Sequence, residues 1–401
     1  MTKYVDFLMV TYREDFKEIA HCGGRMSFKI VCDEERRISI GAGWTISSPK
    51  PATIVGIYAD LHSGAVISDF RMGGIGQPHD PQPPSMSITI MLGSDSHEKW
   101  GHQCPRCKGY FRSAHHPAIF PLTCAYCGLR AAAHVFLTPA QRNYVTHCVD
   151  QVATCINELN PGEEHEVVID MDKAGDNESS EPKPDFYYSE LSQQTEFDCV
   201  KCGEYNDVRG RFAYCTTCGW KNNGEDLKAK LESIRKQMNA ANILVAGAIR
   251  ESVSEFDACC RDFAVQVRNR IPMKPMRKTA LERSFYDSEG AAIKNFKEIA
   301  DIDLMRDFSD GDKSFIKLMM HRRHVYEHLG GVADEKYVKD SGDPIVRVGD
   351  LLREDASNTH RLIGLLNRMV ANMESDFHEI FPPTEWPVKN FEKFNERQKR
   401  L

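Results

Sequence analysis

Residues 322–328 read Arg-Arg-His-Val-Tyr-Glu-His, so two arginines and two histidines fall within two turns of a predicted helix. Four residues separate Arg323 from His328, and the polar His324 follows Arg323 directly. Arginine keeps its proton at physiological pH, whereas histidine titrates near neutrality. A fixed cation beside a proton carrier is what phosphodiester cleavage requires. Two blander readings compete. The charges can form a solvated helix face. Alternatively, His321, His324 and His328 recur at i, i+3 and i+7, and an i, i+4 histidine pair can bind zinc, although the HExxH pattern is absent.

A second chemistry lies upstream. Cys104-Pro-Arg-Cys107 is followed by Cys124-Ala-Tyr-Cys127, and Cys199-Val-Lys-Cys202 by Cys215-Thr-Thr-Cys218. Two intervening residues let both thiolates of a pair face one tetrahedral ion at about 2.3 Å. Gly128, Gly203 and Gly219 follow the second cysteine of three pairs and permit the turn that completes a knuckle. The first pair carries Lys108-Gly109 instead. The spacings resemble zinc ribbons and predict two structural zinc ions, each closed by four cysteines and so without an open position. A ligand from His97, His102, His115 or His116 is the lesser alternative. Cys148 and Cys155, seven apart on one predicted helix, read as core.

Composition frames these motifs. The chain has 401 residues, 41% of them apolar, and a net charge of −7. The charge is uneven. Asp150 to Asp198 holds fourteen acidic residues against Lys173 and Lys183, while Arg268 to Arg283 holds six basic residues and one acidic. Overall acidity therefore does not exclude a polyanionic partner. No apolar run is long enough for a membrane span. Phe7-Leu8-Met9-Val10 before Arg13-Glu14-Asp15 is too short for a signal peptide. A cytoplasmic location is expected, where fourteen cysteines point to metal before disulfides.

The elements that must position these residues follow from patterning. Met26 to Cys32 and Met86 to Leu92 alternate apolar and polar, and Ala52 to Tyr58 and Ala65 to Phe70 are strand-like, so an antiparallel sheet or small sandwich is predicted. Gly73 to Gly76 reads as a loop. Thr138-Pro139 opens a helix to about Leu159. Pro161 to Asp198, acidic and poor in aliphatics, reads as a flexible linker. From about Gly224 the pattern is helical. An unbroken run is expected from Glu225 to Ala246, with a kink at Gly247. Asp287 or Ser288 begins another helix, Asp310 or Asp312 caps the one bearing the heptapeptide, and Gly330-Gly331 ends it. Leu362 to Ile380 forms the last strong helix, stopped by Pro382-Pro383.

The heptapeptide resembles the active-site motif of HEPN-superfamily ribonucleases, an arginine and a histidine four to six residues apart with a polar residue after the arginine. Arg323, His324 and His328 fit it, and Arg322 also fits the spacing. The resemblance covers about residues 225 to 381. It implies metal-independent RNA cleavage, in which a 2′-hydroxyl attacks the adjacent phosphorus at a site built from two protomers. It further implies a toxin or antiphage role. His328 would be the acid or base, Arg323 would steady phosphoryl charge, and His324 would orient the arginine or touch a phosphate. Arg322, Lys336 and Tyr337 are weaker candidates for substrate contact.

The sequence thus predicts a multidomain α+β protein. Residues 1–98 form a β-rich module, 99–136 a zinc ribbon, 137–197 a helix and acidic linker, 198–223 a second ribbon, and 224–401 an all-α HEPN-like bundle. RNA and a second copy of the chain are the expected partners, with a trigger or regulatory partner at the N-terminal module. The competing class is a non-catalytic ribbon adaptor that binds nucleic acid or protein.

Overall fold

A strand with one buried face alternates its side chains, and β1 (Arg25–Cys32) does so with Met26, Phe28, Ile30 and Cys32 inward. The computed structural model describes residues 24–45, 54–61, 66–73, 83–84, 86–95, 97–114, 121–177, 193–210, 213–241, 243–281 and 291–399, with Glu18 and Phe186. Beyond β1 the N-terminal part contains β2 (Ile38–Thr45), β3 (Ile54–Asp60), β4 (Ile67–Gly73) and β5 (Ser87–Gly93). Gly73 closes β4, and Gly74 to Gly76 lie outside the described residues.

The expected antiparallel sheet or small sandwich needs correction in one pairing, because β2 and β4 run parallel. The reason is topological. β3 leaves to pair with β5, so β4 returns beside β2 in the same direction.

The stretch read as a flexible linker also contributes structure. After the ribbon strands β6 (Trp100–Gln103), β7 (Tyr110–Ser113), β8 (Leu122–Thr123) and β9 (Arg130–Ala131), and helix α1 (Pro139–Glu158), strand β10 (Glu164–Asp170) pairs antiparallel with β1. The sheet order is β10-β1-β2-β4. Acidic composition hid β10 because an edge strand needs few apolar residues. Ile169 is seated inward, while Glu164 faces solvent and pairs with Lys29 at 2.9 Å. Thr138 caps α1 through a reciprocal bond with Gln141. Tyr144, Cys148, Val152 and Cys155 of α1 fill the core beneath the sheet, as expected of the paired cysteines.

The two ribbons share one sheet. β11 (Gln194–Asp198) and β12 (Tyr205–Arg209) form a hairpin, and β12 pairs with β7 to give the order β11-β12-β7-β6. Arg112 on β7 seals the seam, with Nη2 2.7 Å from Asp207 of β12 and Nη1 3.3 Å from Asp95 of the N-terminal module. All three side chains are buried, so removing Arg112 leaves two buried carboxylates without their cation.

The C-terminal half comprises α2 (Asn223–Asn239), α3 (Val245–Arg270), α4 (Pro275–Ala280), α5 (Ala291–Ala300), α6 (Asp310–His328), α7 (Glu335–Ser341), α8 (Ala356–Ile380) and α9 (Glu385–Gln398). The long run expected from Glu225 to Ala246 is broken earlier than Gly247. Ala241 takes φ +58°, and α2 folds back on α3 as a hairpin held by Lys230–Glu255 at 3.0 Å. Gly247 instead lies within α3, where Ile243 packs over it. Residues 282–290, including the expected start at Asp287 or Ser288, lie outside the described residues. α3 is central, and its Val253, Phe256, Cys260, Phe263 and Val267 meet Leu362, Leu366, Met369 and Phe377 of α8 in one core. Among the described residues, no helix is long and apolar enough to cross a membrane.

The second ribbon is set into this core. Trp220 stacks on His378 of α8 at 3.8 Å, the Lys221 amide donates to His378 Nε2 at 3.2 Å, and the Gly224 amide donates to Glu374 Oε1 at 3.0 Å. Burial raises the Glu374 carboxyl to about 7 and lowers the His378 imidazole to about 4. Glu374 therefore favours folding fully below its ordinary 4.5, and that contribution is lost as pH rises through about 7. His378 contributes fully above its ordinary 6.5 and loses this as pH falls through about 4. Glu374→Gln keeps an acceptor for the Gly224 amide and removes the first slope. The variant is expected to match the wild type near pH 4.5 and to exceed it by about 2 kcal/mol near pH 8. Denaturant titrations at the two pH values check this, and an equal difference at both would contradict it.

Candidate functional site

Four knuckles of one design hold the cysteines. In each, the amide of the residue after the second cysteine donates to the first cysteine's carbonyl: Lys108 to Cys104 at 2.9 Å, Gly128 to Cys124 at 3.1 Å, Gly203 to Cys199 at 2.8 Å and Gly219 to Cys215 at 3.0 Å. All four take φ between +61° and +78°. Lys108 thus adopts the left-handed turn without being glycine, which explains the departure in the first pair.

Each set of four sulfurs lies within 4.8 Å. Cys104 and Cys127 are 3.7 Å apart, Cys107 and Cys124 3.6 Å, Cys199 and Cys218 3.7 Å, and Cys202 and Cys215 3.5 Å. Sulfurs about 2.3 Å from a tetrahedral ion stand about 3.8 Å from one another, so both sets fit a metal ion. Backbone amides of Tyr126 and Trp220 point at Cys124 and Cys218 Sγ at 3.4 Å, as bound thiolates require. His102 is not a ligand, since its Nε2 lies 2.9 Å from Ser113 Oγ. His115 and His116 lie outside the described residues. Among the described residues, the two cysteine sets are the only groups of three or more ligand side chains gathered this closely, and the α6 histidines form none.

The heptapeptide occupies the last two turns of α6. Ser309 caps this helix by accepting from the Asp312 amide at 3.1 Å, with Asp310 and Asp312 in the first turn rather than at the cap. Gly330 and Gly331, at φ +61° and +88°, reverse the chain. The following segment returns across α6 through Leu352 N to Gly331 O at 2.8 Å and a bridge between Val332 and Leu351.

The helix sorts the predicted site residues onto different faces. His324 and His328 are exposed, with ring centroids 4.8 Å apart. Lys336, on α7, is exposed, and its charge acts on His324. Burial, then the charges of His328, Lys336 and Arg323, hold the His324 imidazole below its ordinary value. Burial and Lys317 do the same to His321, whose Nε2 is enclosed without a hydrogen bond.

Arg323 is buried. Five residues of helix turn the chain so that Arg323 and His328 project about 140° apart. The structure brings the two histidines and Lys336 together, and directs Arg323 inward within the protomer.

Arg322 and Tyr337 are engaged within the chain. Arg322 Nη2 lies 2.7 Å from Asp343 and Nη1 2.5 Å from Glu354. Tyr337 is buried and donates from its hydroxyl to Asp343 at 2.8 Å. These groups fasten the returning segment to α6. Asp343 and Glu354 escaped sequence reasoning, because carboxylates 21 and 32 residues away carry no periodic signal.

No family model matches this chain, and no curated protein or solved structure matches it significantly.

Proposed function

We propose that the chain is a metal-independent endoribonuclease of HEPN type, with His324 and His328 as its acid–base pair. The observation that carries this reading is the exposed contact between the two imidazoles beside Lys336. An imidazole near neutral pKa can take or give a proton, and one well-placed acid or base is worth about 10²- to 10⁴-fold. His324, held below its ordinary value, is suited to accept the proton of the attacking 2′-hydroxyl. His328 then returns a proton to the leaving 5′-oxygen, and Lys336 offsets phosphate charge. Arg323, placed inward, supports the helix from behind.

A homodimer is part of the proposal. Val332, Ile345, Val348 and Leu351 of the returning segment are 43%, 83%, 56% and 57% exposed. Exposed apolar side chains grouped on one segment suit burial against a second copy. We further propose zinc in both cysteine sets, as rigid structure and not as catalyst, and a defence or toxin role in the cytoplasm with a trigger acting at the N-terminal module.

The buried Arg323 and the fully engaged Arg322 favour a second reading, a non-catalytic adaptor that uses the same surfaces to bind nucleic acid or protein. Incubation of the purified protein with total RNA and tRNA in EDTA separates the two. The nuclease leaves 2′,3′-cyclic phosphate and 5′-hydroxyl ends, whereas intact RNA that stays bound supports the adaptor.

A further inference from the structure

The described part of the basic stretch that begins at Arg268 is not a free loop. Arg106 of the first ribbon donates from Nη2 to the Asn269 carbonyl at 3.1 Å, across 163 residues of sequence. Gln266 Nε2 donates to the Tyr126 carbonyl at 3.2 Å, and Arg270 lies over the Phe381 ring at 3.8 Å. The end of α3 is thereby fixed against the first ribbon and the end of α8. Residues 268–281 hold five cations and no acid, and the knuckle adds Arg106 and Lys108, again without an acid. Lys274 is five residues beyond Asn269, within about 17 Å by chain length alone. Arg106, Lys108, Lys274, Arg277 and Lys278 are all exposed, and no ion pair holds them among the described residues.

We propose that the first ribbon and α4 form one cationic ridge that anchors single-stranded RNA away from the histidines. Lys230, Lys297, Arg361 and Lys389 are each paired with a carboxylate, whereas the ridge gathers five neighbouring cations with no acid among them, as a polyanion surface requires. The choice of RNA over an acidic protein rests on the nuclease reading. Distance gives the ridge a separate role. Arg250 Nη1 stands 3.9 Å from Glu327, next to His328, and Arg270 is twenty residues further along α3. The ridge is thus about 30 Å from the histidine pair along the helix. RNA held at both places must span that length, so the ridge selects long substrates and does not touch the reacting phosphate.

The test uses the full-length chain and a 30-nucleotide RNA whose 2′-hydroxyls are methylated, so that binding is read whether or not the protein cuts. The comparison is wild type against Lys274→Ala/Arg277→Ala/Lys278→Ala, with a triple charge-retaining variant (Lys274→Arg, Arg277→Lys, Lys278→Arg) as control. Losing three phosphate contacts should flatten the log affinity against log salt slope by about 2 and weaken binding about 50-fold at 0.15 M salt. The charge-retaining variant should bind like the wild type, and a six-nucleotide RNA should not distinguish the three proteins. An unchanged slope in the alanine variant overturns the ridge, as does a wild type that fails to bind the 30-mer. Equal competition by a poly-aspartate peptide of the same charge would also overturn it, in favour of an acidic protein partner. If the nuclease reading fails alone, the RNA binding and its loss persist without cleavage.

Discussion

Replacing Cys215 with serine is expected to unfold the second ribbon and much of what it touches. Cys215 is fully buried, 3.5 Å from Cys202, and receives Asn206 Nδ2 at 3.8 Å. Structural zinc in a four-cysteine site contributes about 10–16 kcal/mol to folding, comparable to the whole stability of a domain. The loss would spread in two directions. β12 would lose its hold on β7, and Trp220 its stack on His378. Elemental analysis should fall from about two zinc ions per chain to about one, with a large drop in melting temperature or recovery only as aggregate. Cys148→Ala, at an equally buried thiol on α1, should leave the metal count at two. A Cys215→Ser protein with unchanged metal and melting temperature would contradict the metal assignment.

Arg322→Ala should be the most damaging single change within α6. It leaves Asp343 and Glu354 buried without their cation, at about 3–5 kcal/mol. Burial alone would raise the Asp343 carboxyl, but the bonds from Arg322 and Tyr337 outweigh it and hold the group below its usual value. A depressed carboxyl stabilises the fold above its ordinary 3.8 and loses that effect as pH falls through the depressed value. The gap between wild type and variant should therefore be full at pH 7 and close below pH 3.8. Adding Asp343→Asn and Glu354→Gln should recover part of the loss at pH 7. Urea titration reads all of these, and a gap that ignores pH would show that the arginine contributes by packing alone.

Local signals in the chain were legible, and long-range ones were not. The cysteine knuckles, the caps at Thr138 and Gly330-Gly331, and the apolar stripe of α8 each lie within a few residues of their partners, so spacing alone exposes them. β10 was missed because edge strands tolerate acidic residues, and the α2–α3 turn because Ala241 takes a left-handed conformation without a glycine to announce it. The sharing of one sheet by both ribbons depends on β7 meeting β12 across about ninety residues, and no local pattern encodes that. At the candidate site, spacing along the chain suggested Arg323 with His328. The helix instead pairs His324 with His328 and buries Arg323, because i, i+4 neighbours share a face and i, i+5 neighbours do not, while Arg322 is bound to Asp343 and Glu354.

The histidine pair on α6 is proposed to perform acid–base chemistry on RNA. The direct measurement is single-turnover cleavage of total RNA and tRNA in EDTA by wild type and by His328→Ala, with circular dichroism and sedimentation confirming equal folding and assembly. Because His328 is exposed, its removal should leave the fold intact. The predicted result is a rate lower by about 10²- to 10⁴-fold in the variant. Undiminished cutting by a folded His328→Ala protein would contradict the account.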